Sequence, residues 1–395
     1  MSILTRSEWK TSLALSSVVA LRMFGLFLIL PVFTVYAKRL PGAANALWLV
    51  GLAIGIYGFT QMLLQIPMGY LSDHIGRRPA ITLGLLVFAA GSVVAALAHG
   101  LNGIVIGRAL QGAGAVSGAS QALAADHSHD DNRSKVMGII GIGIGLAFVL
   151  SMILSAPLAA VYGLQGMFGL TAILAVCAII LLWWVVPSPQ KRGTSAVPVS
   201  QMLRMVANPR LLVLNGSVFC MHGLMTACFV AMPMLLMRDA HISLHDQWVI
   251  YLPVMLASAI VMGGLLRHVQ SLSASMSLVL ACALTLLLAM LAFAGGSHGA
   301  WLIWIGALLF FSAFNLLEAT LPGMVSRLAP TDLRGAALGA YASCQFAGAG
   351  VGGVLGGIGL QYLGLSGLFV AATVIALFWL LLLGGGRRLV LVAPR

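Results

Sequence analysis

Acidic side chains are scarce in this sequence: nine Asp and Glu in 395 residues, against 21 Lys and Arg. Charged residues of both signs make up 8% of the chain, where a soluble domain carries roughly a quarter. With 61% hydrophobic residues, that shortage excludes a water-soluble globular core. Cysteine is sparser still. Cys177, Cys220, Cys228, Cys282 and Cys344 all fall in apolar stretches without paired spacing, which reads as packing thiols and excludes a disulfide framework or a zinc-ligand set. No Walker-type phosphate loop is present, which argues against ATP-driven transport by this chain alone. Nor is there a clustered nucleophile, acid–base pair or metal set at either end of the apolar stretches, as an enzyme acting on lipid would need. No cofactor is expected.

What is present is a succession of apolar runs of twenty or more residues, each long enough to cross roughly 30 Å of hydrocarbon as a helix. Spans are predicted at 11–37, 47–71, 79–98, 101–125, 135–160, 166–187, 210–237, 246–266, 273–294, 300–327, 335–360 and 366–386. The runs lack barrel-type alternation and are rich in Leu, Ala and Gly, so the fold class is an all-α membrane protein. The formal net charge of +12 reports topology rather than a nucleic-acid partner. With the N-terminus inside, Arg6, Lys10, Arg77, Arg78, Arg133, Lys135, Lys191, Arg192, Arg204, Arg210, Arg267, Arg327, Arg334, Arg387, Arg388 and Arg395 fall on the cytoplasmic side. Lys38, Arg39 and Arg238 fall outside, which is the positive-inside pattern, and both termini are expected in the cytoplasm. The first run is too long for a signal-peptide core and is expected to be retained.

The longest polar break, 188–209, separates an N-terminal half (1–187) from a C-terminal half (210–395). A weak repeat supports that division. Tyr162-Gly163-Leu164-Gln165-Gly166-Met167-Phe168 follows the fifth span, and Tyr362-Leu363-Gly364-Leu365-Ser366-Gly367-Leu368-Phe369 follows the eleventh.

Between the second and third spans stands Gly69-Tyr70-Leu71-Ser72-Asp73-His74-Ile75-Gly76-Arg77-Arg78-Pro79. Gly69 would permit close helix approach, Gly76 a tight turn, and Asp73 with Arg77 and Arg78 ion pairs at the membrane surface. This run resembles the cytoplasmic loop signature of the major facilitator superfamily, and Gly107-Arg108-Ala109-Leu110-Gln111-Gly112-Ala113-Gly114 resembles its fourth-helix motif. The resemblance implies about twelve transmembrane helices in two pseudo-symmetric six-helix halves, with a substrate site near the midplane between them. It also implies a latch holding the outward-open state, carried onto Gly69, Asp73, Gly76, Arg77, Arg78, Asp126 and Arg133. The runs Leu21-Arg22-Met23-Phe24-Gly25, Ile54-Gly55-Ile56-Tyr57-Gly58, Gln65-Ile66-Pro67 and Phe314-Asn315-Leu316-Leu317-Glu318-Ala319 resemble the YajR-like branch, grouped with bacterial drug:proton antiporters. The likeness covers nearly all the spans. Two departures stand out. Better-known members carry a small soluble C-terminal domain, whereas this chain stops at Arg395; and Ser155-Ala156-Pro157 replaces the Gly-Pro of the antiporters' fifth helix.

Of the acidic residues, only Glu318 lies deep inside a predicted span, and a carboxyl so placed can take up a proton and release it when access to water changes. It is the candidate for proton coupling, against a static pairing with Arg22 or Arg108. Candidate pathway residues are Arg22, Gln61, Gln65, Arg108, Gln111, Asn215, His222, Asn315 and Gln345, each of which could instead be an interhelical hydrogen-bond partner. The expected function is proton-coupled efflux of a small amphipathic molecule by alternating access, from the bacterial inner membrane, by a monomer. The alternatives are a uniporter of a sugar or metabolite and a membrane sensor that moves nothing. The expected partners are the substrate, protons and the lipid bilayer, with no nucleic acid.

Two patterns are decoys. Gly348-Ala349-Gly350-Val351-Gly352-Gly353 fits the dinucleotide fingerprint but lies inside a predicted span with no preceding strand, so it reads, like Gly141, Gly143 and Gly145, as close helix contact. His127 and His129 are read as belonging to a solvated loop rather than a metal site.

Overall fold

The computed structural model describes residues 4–129, 132–186, 204–205, 207–269, 271–330 and 333–391. Most of the expected linker, with Lys191, Arg192 and Arg395, lies outside the described residues. Among the described residues there is no strand. The helices are α1 (Arg6–Ala37), α2 (Leu47–Ile75), α3 (Arg77–Ala96), α4 (Leu101–Ala113), α5 (Ser117–Asp126), α6 (Arg133–Val185), α7 (Pro209–Arg238), α8 (Trp248–Leu266), α9 (Leu272–Ala294), α10 (Ala300–Leu328), α11 (Arg334–Tyr362) and α12 (Gly364–Leu391). Ten of the helices in the described residues are long and apolar enough to cross a membrane.

Two departures from the predicted spans have local causes. The fifth and sixth form one 53-residue helical stretch, α6, which if straight would run about 80 Å, more than two hydrocarbon thicknesses. Gly163, at φ 63°, turns the chain there. Gly364, at φ 70°, does the same between α11 and α12, so the sequence repeat marks two left-handed glycine turns. The fourth span is not continuous: α4 ends at Ala113 and α5 begins at Ser117. A side chain at Gly114 would meet the backbone of Gly84 and Phe88 on α3, and the break follows that close approach.

The chain forms two compact units, residues 1–41 with 59–196, and residues 42–58 with 197–395. In the first, α1 lies along α6. Hydroxyl groups donate across that seam: Ser16 to Ile139 O (3.0 Å), Ser151 to Phe24 O (3.1 Å), Ser155 to Leu28 O (2.6 Å) and Thr171 to Gly25 O (3.0 Å). Lipid tails are as apolar as leucine, so such bonds and close packing, rather than hydrophobic drive, hold helices together there. Leu15, Val18, Leu85, Val116, Leu123 and Leu182 fill the core beneath them. Of the three glycines expected to make contacts in α6, only Gly143 does, against Ser16; Gly141 and Gly145 face open space.

In the second unit α11 presses on α7 through glycine. Side chains at Gly348, Gly352 and Gly356 would run into Phe219, Gly223 and Ala227. On its other face Gly353 and Gly357 meet Gly51 and Gly55, which is why 42–58 belongs to this unit. The fingerprint-like glycines are thus helix contacts. Large apolar side chains such as Trp184 (85% exposed) and Ile260 (76%) point outward, as lipid-facing residues do.

Candidate transport sites

In the first unit Arg22 is fully buried, and it is stationed by the break between α4 and α5. Its Nη2 donates to Gly114 O and to Gln61 Oε1, both at 3.2 Å, and its guanidinium lies 5.2 Å from the centre of the Phe88 ring. Gln61 in turn donates to Gln65 Oε1 (3.1 Å). The structure therefore brings Arg22, Gln61 and Gln65 into one polar chain. Arg108 and Gln111 make a second: Arg108 donates to Gln111 Oε1 (2.9 Å), and Gln111 to Ser92 Oγ (2.7 Å). The second of these bonds joins α4 to α3.

The loop signature forms a compact ionic group. Gly76, at φ 97°, makes the turn that only glycine adopts without strain. Arg77 then pairs with Asp73, donates from Nε to Asp126 Oδ2 (3.3 Å), and bonds Ser72 Oγ (2.9 Å). Arg78 works elsewhere: it stacks over Trp183 and donates to the carbonyls of Leu182, Trp183 and Val186 at the end of α6, where a cation also suits the helix dipole. Gly69 faces open space, so the close approach expected of it is not made. Arg133 is the first residue of α6.

The second unit gathers Glu318, His222 and Gln345 from α10, α7 and α11. His222 Nδ1 lies 3.2 Å from Val218 O, a contact made as a hydrogen bond by the tautomer with its proton on Nδ1 and a lone pair on Nε2. Gln345 Nε2 meets that lone pair at 2.8 Å and reaches Glu318 Oε1 at 3.3 Å; Glu318 Oε2 is 3.6 Å from His222 Nε2. The Phe314 ring centre is 5.5 Å from that of His222. Glu318 is not enclosed as its position in a span implied: its side chain is 43% exposed, so it is accessible as well as bonded. Asn315 donates to Ser258 Oγ (2.9 Å) and stands apart from this cluster, while Asn215 is buried with neither amide atom bonded in the structure.

Two features escaped sequence reasoning. Tyr341, one turn before Gln345 on α11, is buried with its hydroxyl unbonded, and nothing in its apolar surroundings marked it. Glu8 is buried and accepts from Thr5 N and Oγ1, from His129 N, from Asn132 Nδ2, and pairs with His129 Nδ1, at 2.9–3.0 Å. His129 is therefore tied into a bonded loop rather than merely solvated, although its ring is largely exposed.

A bundle of apolar helices with polar groups inside each unit and an ionic loop between α2 and α3 defines a multi-pass membrane transporter. Residues 15–353 match the Major Facilitator Superfamily, and the chain belongs to it. Its place is in the YajR-like branch: it is 39% identical over 381 residues to the inner membrane transport protein YajR of Escherichia coli K12, covering 95% of this chain and 83% of that one. An uncharacterized transporter of Buchnera aphidicola subsp. Baizongia pistaciae is 29% identical over 376 residues, covering 94% and 95%. The crystal structure of a bacterial homolog of the human lysosomal transporter Spinster superposes with a TM-score of 0.76 over 98% of each chain at 15% identity, a likeness of fold. These relatives are transporters, and this chain is not an enzyme.

Proposed function

We propose that the chain is a proton-coupled antiporter that exports a small amphipathic molecule across the bacterial inner membrane by alternating access, as a monomer with both termini in the cytoplasm. The observation that carries this reading is the cluster of Glu318, Gln345 and His222: one accessible carboxylate inside a span, held by an amide that an imidazole also holds. With Glu318 ionised, the two N–H groups of Gln345 serve the carboxylate and the imidazole together. Protonation of Glu318 removes the charge that this amide compensates and frees it to turn toward a substrate. A polar or cationic group on the substrate competes for the same carboxylate, so proton and substrate exclude one another, which is the requirement for exchange. Arg22 with Gln61 and Gln65 supplies a polar lining in the first unit, and Arg77 between Asp73 and Asp126 biases the conformers that give access to either side.

The test is substrate-induced proton movement in sealed vesicles holding a pH gradient, with a panel of amphipathic cations, anions and sugars, for the native chain and Glu318→Gln. A compound that dissipates the gradient only with the native glutamate supports antiport and reveals the substrate class. Movement of a compound without proton flux in the native protein would establish a uniporter instead.

A further inference from the structure

The break that ends α4 also makes α5 a separate piece, ten residues long and about 15 Å from end to end. Both of its ends are held by arginines from other helices. At the leading end Gly114 is the C-cap of α4, and a carbonyl there lacks a donor in its own helix. Arg22 of α1 supplies one, donating from Nη2 to Gly114 O at 3.2 Å. Gly84 of α3 lies against the same stretch, where a side chain would strike Val116, so this end of α5 is fixed to α1 and α3 together. At the trailing end Asp126 closes α5. A carboxylate at the negative end of a helix dipole is disfavoured, and the bond from Arg77 Nε, at 3.3 Å, offsets that cost.

Between the two arginines α2 carries a polar stripe, Gln61, Gln65 and Ser72, at helical spacing on one face. Gln61 accepts from Arg22 and donates to Gln65, and Ser72 accepts from Arg77. The Gln65 amide lies along α5: a Cβ on Gly118 would stand 3.4 Å from Gln65 Nε2. Ala119, Ser120, Leu123 and Ala124 bury the inner face of α5. With the break on one side and the turn at His127 on the other, so short a helix moves as one body. We infer that α5 is the lever through which Arg22 governs the ionic group of Arg77: the bond to Gly114 O sets where Asp126 stands, and so how firmly Arg77 is held. Arg22 is then a positioning residue for that group, and whatever draws its guanidinium off Gly114 loosens an ion pair about 15 Å away. The inference rests on the reading, proposed above, that Arg77 between Asp73 and Asp126 biases the conformers.

A double-mutant cycle on the full chain in lipid nanodiscs tests this, with spin-label distances reporting the ratio of conformers. Asp126→Asn should change that ratio roughly fivefold, and Arg22→Gln should change it in the same direction by a similar factor. Because both act on one ion pair, the two together should again give about fivefold, where independent effects would multiply to about twenty-five. Ser151→Ala removes a bond from α6 to α1 and leaves α5 alone, so any effect it has should multiply with that of Asp126→Asn. If Arg22→Gln does not fold, Arg22→Lys, which keeps the charge and loses the planar fork, takes its place in the cycle. The inference fails if the Arg22 variant leaves the ratio unchanged, or if its effect multiplies with that of Asp126→Asn. It fails equally if Ser151→Ala saturates in the same way, which would trace the effect to a loosened α1. An unchanged ratio in Asp126→Asn alone would overturn the reading of Arg77 as the conformer bias, and the inference with it.

Discussion

Arg77 serves two carboxylates from different helices, Asp73 near the end of α2 and Asp126 at the end of α5, and all three side chains are only 12–18% exposed. Glu8 is bonded as heavily, yet its partners are backbone N–H groups, the Thr5 hydroxyl, the Asn132 amide and the His129 ring, all of which it fixes in place. The two acids should therefore answer mutation differently. Asp73→Asn keeps the shape of the loop and removes one charge; a loss of about 1 kcal/mol should change the ratio of conformers about fivefold, read as spin-label distances, with little change in the thermal midpoint. Glu8→Gln leaves a buried N–H short of an acceptor, so it should lower stability by about 1–3 kcal/mol in a thermal melt and leave the conformer ratio alone. Equal shifts in both measurements for both variants would remove the distinction. Asp73 was legible because its spacing to Gly76 and Arg77 is local. Glu8 was not, because its partner His129 lies 121 residues away and no short pattern records that pairing.

At the scale of elements, the apolar runs located the helices to within a few residues, because a bilayer fixes the length each must have. The break in the fourth run was hidden, since Gly114 looks like any other small residue until α3 is seen packed against it. Glycine is ambiguous in the same way throughout. Gly352 and Gly145 are both helical, yet a Cβ on Gly352 collides with the backbone of Gly223 on α7, whereas one on Gly145 meets nothing. Gly352→Val should separate α11 from α7 and cost several kcal/mol, of the order that overpacking costs in soluble cores, with a lowered thermal midpoint and poor recovery from the membrane. Gly145→Ala should raise stability by up to about 1 kcal/mol through helix propensity. If the two variants melt alike, glycine contact is not what holds α11 to α7.

For the molecule as a whole, the repeat after Tyr162 and Tyr362 proved to be a pair of glycine turns, and the compact units differ from the halves drawn at the long polar break in that residues 42–58 join the second. The chemistry was less readable, because an acid inside a span announces itself while the amide and imidazole that hold it come from helices far apart in the chain. The scarcity of acids nevertheless sets a limit on what the transporter can do. Among the described residues, Glu318 is the carboxylate deep within a membrane-crossing helix, the others standing at helix ends or in loops. One carboxylate carries one proton per cycle, and one pH unit across the membrane is worth 1.36 kcal/mol per proton. With the membrane potential clamped at zero and one substrate molecule exchanged for one proton, the steady-state substrate ratio should rise about tenfold for each unit of imposed pH difference and no faster. In Glu318→Gln the ratio should stay near one at every pH difference, although substrate still equilibrates downhill. A native slope near a hundredfold per unit would mean that two protons move in each cycle, which would require His222 to carry the second and would overturn Glu318 as the sole carrier.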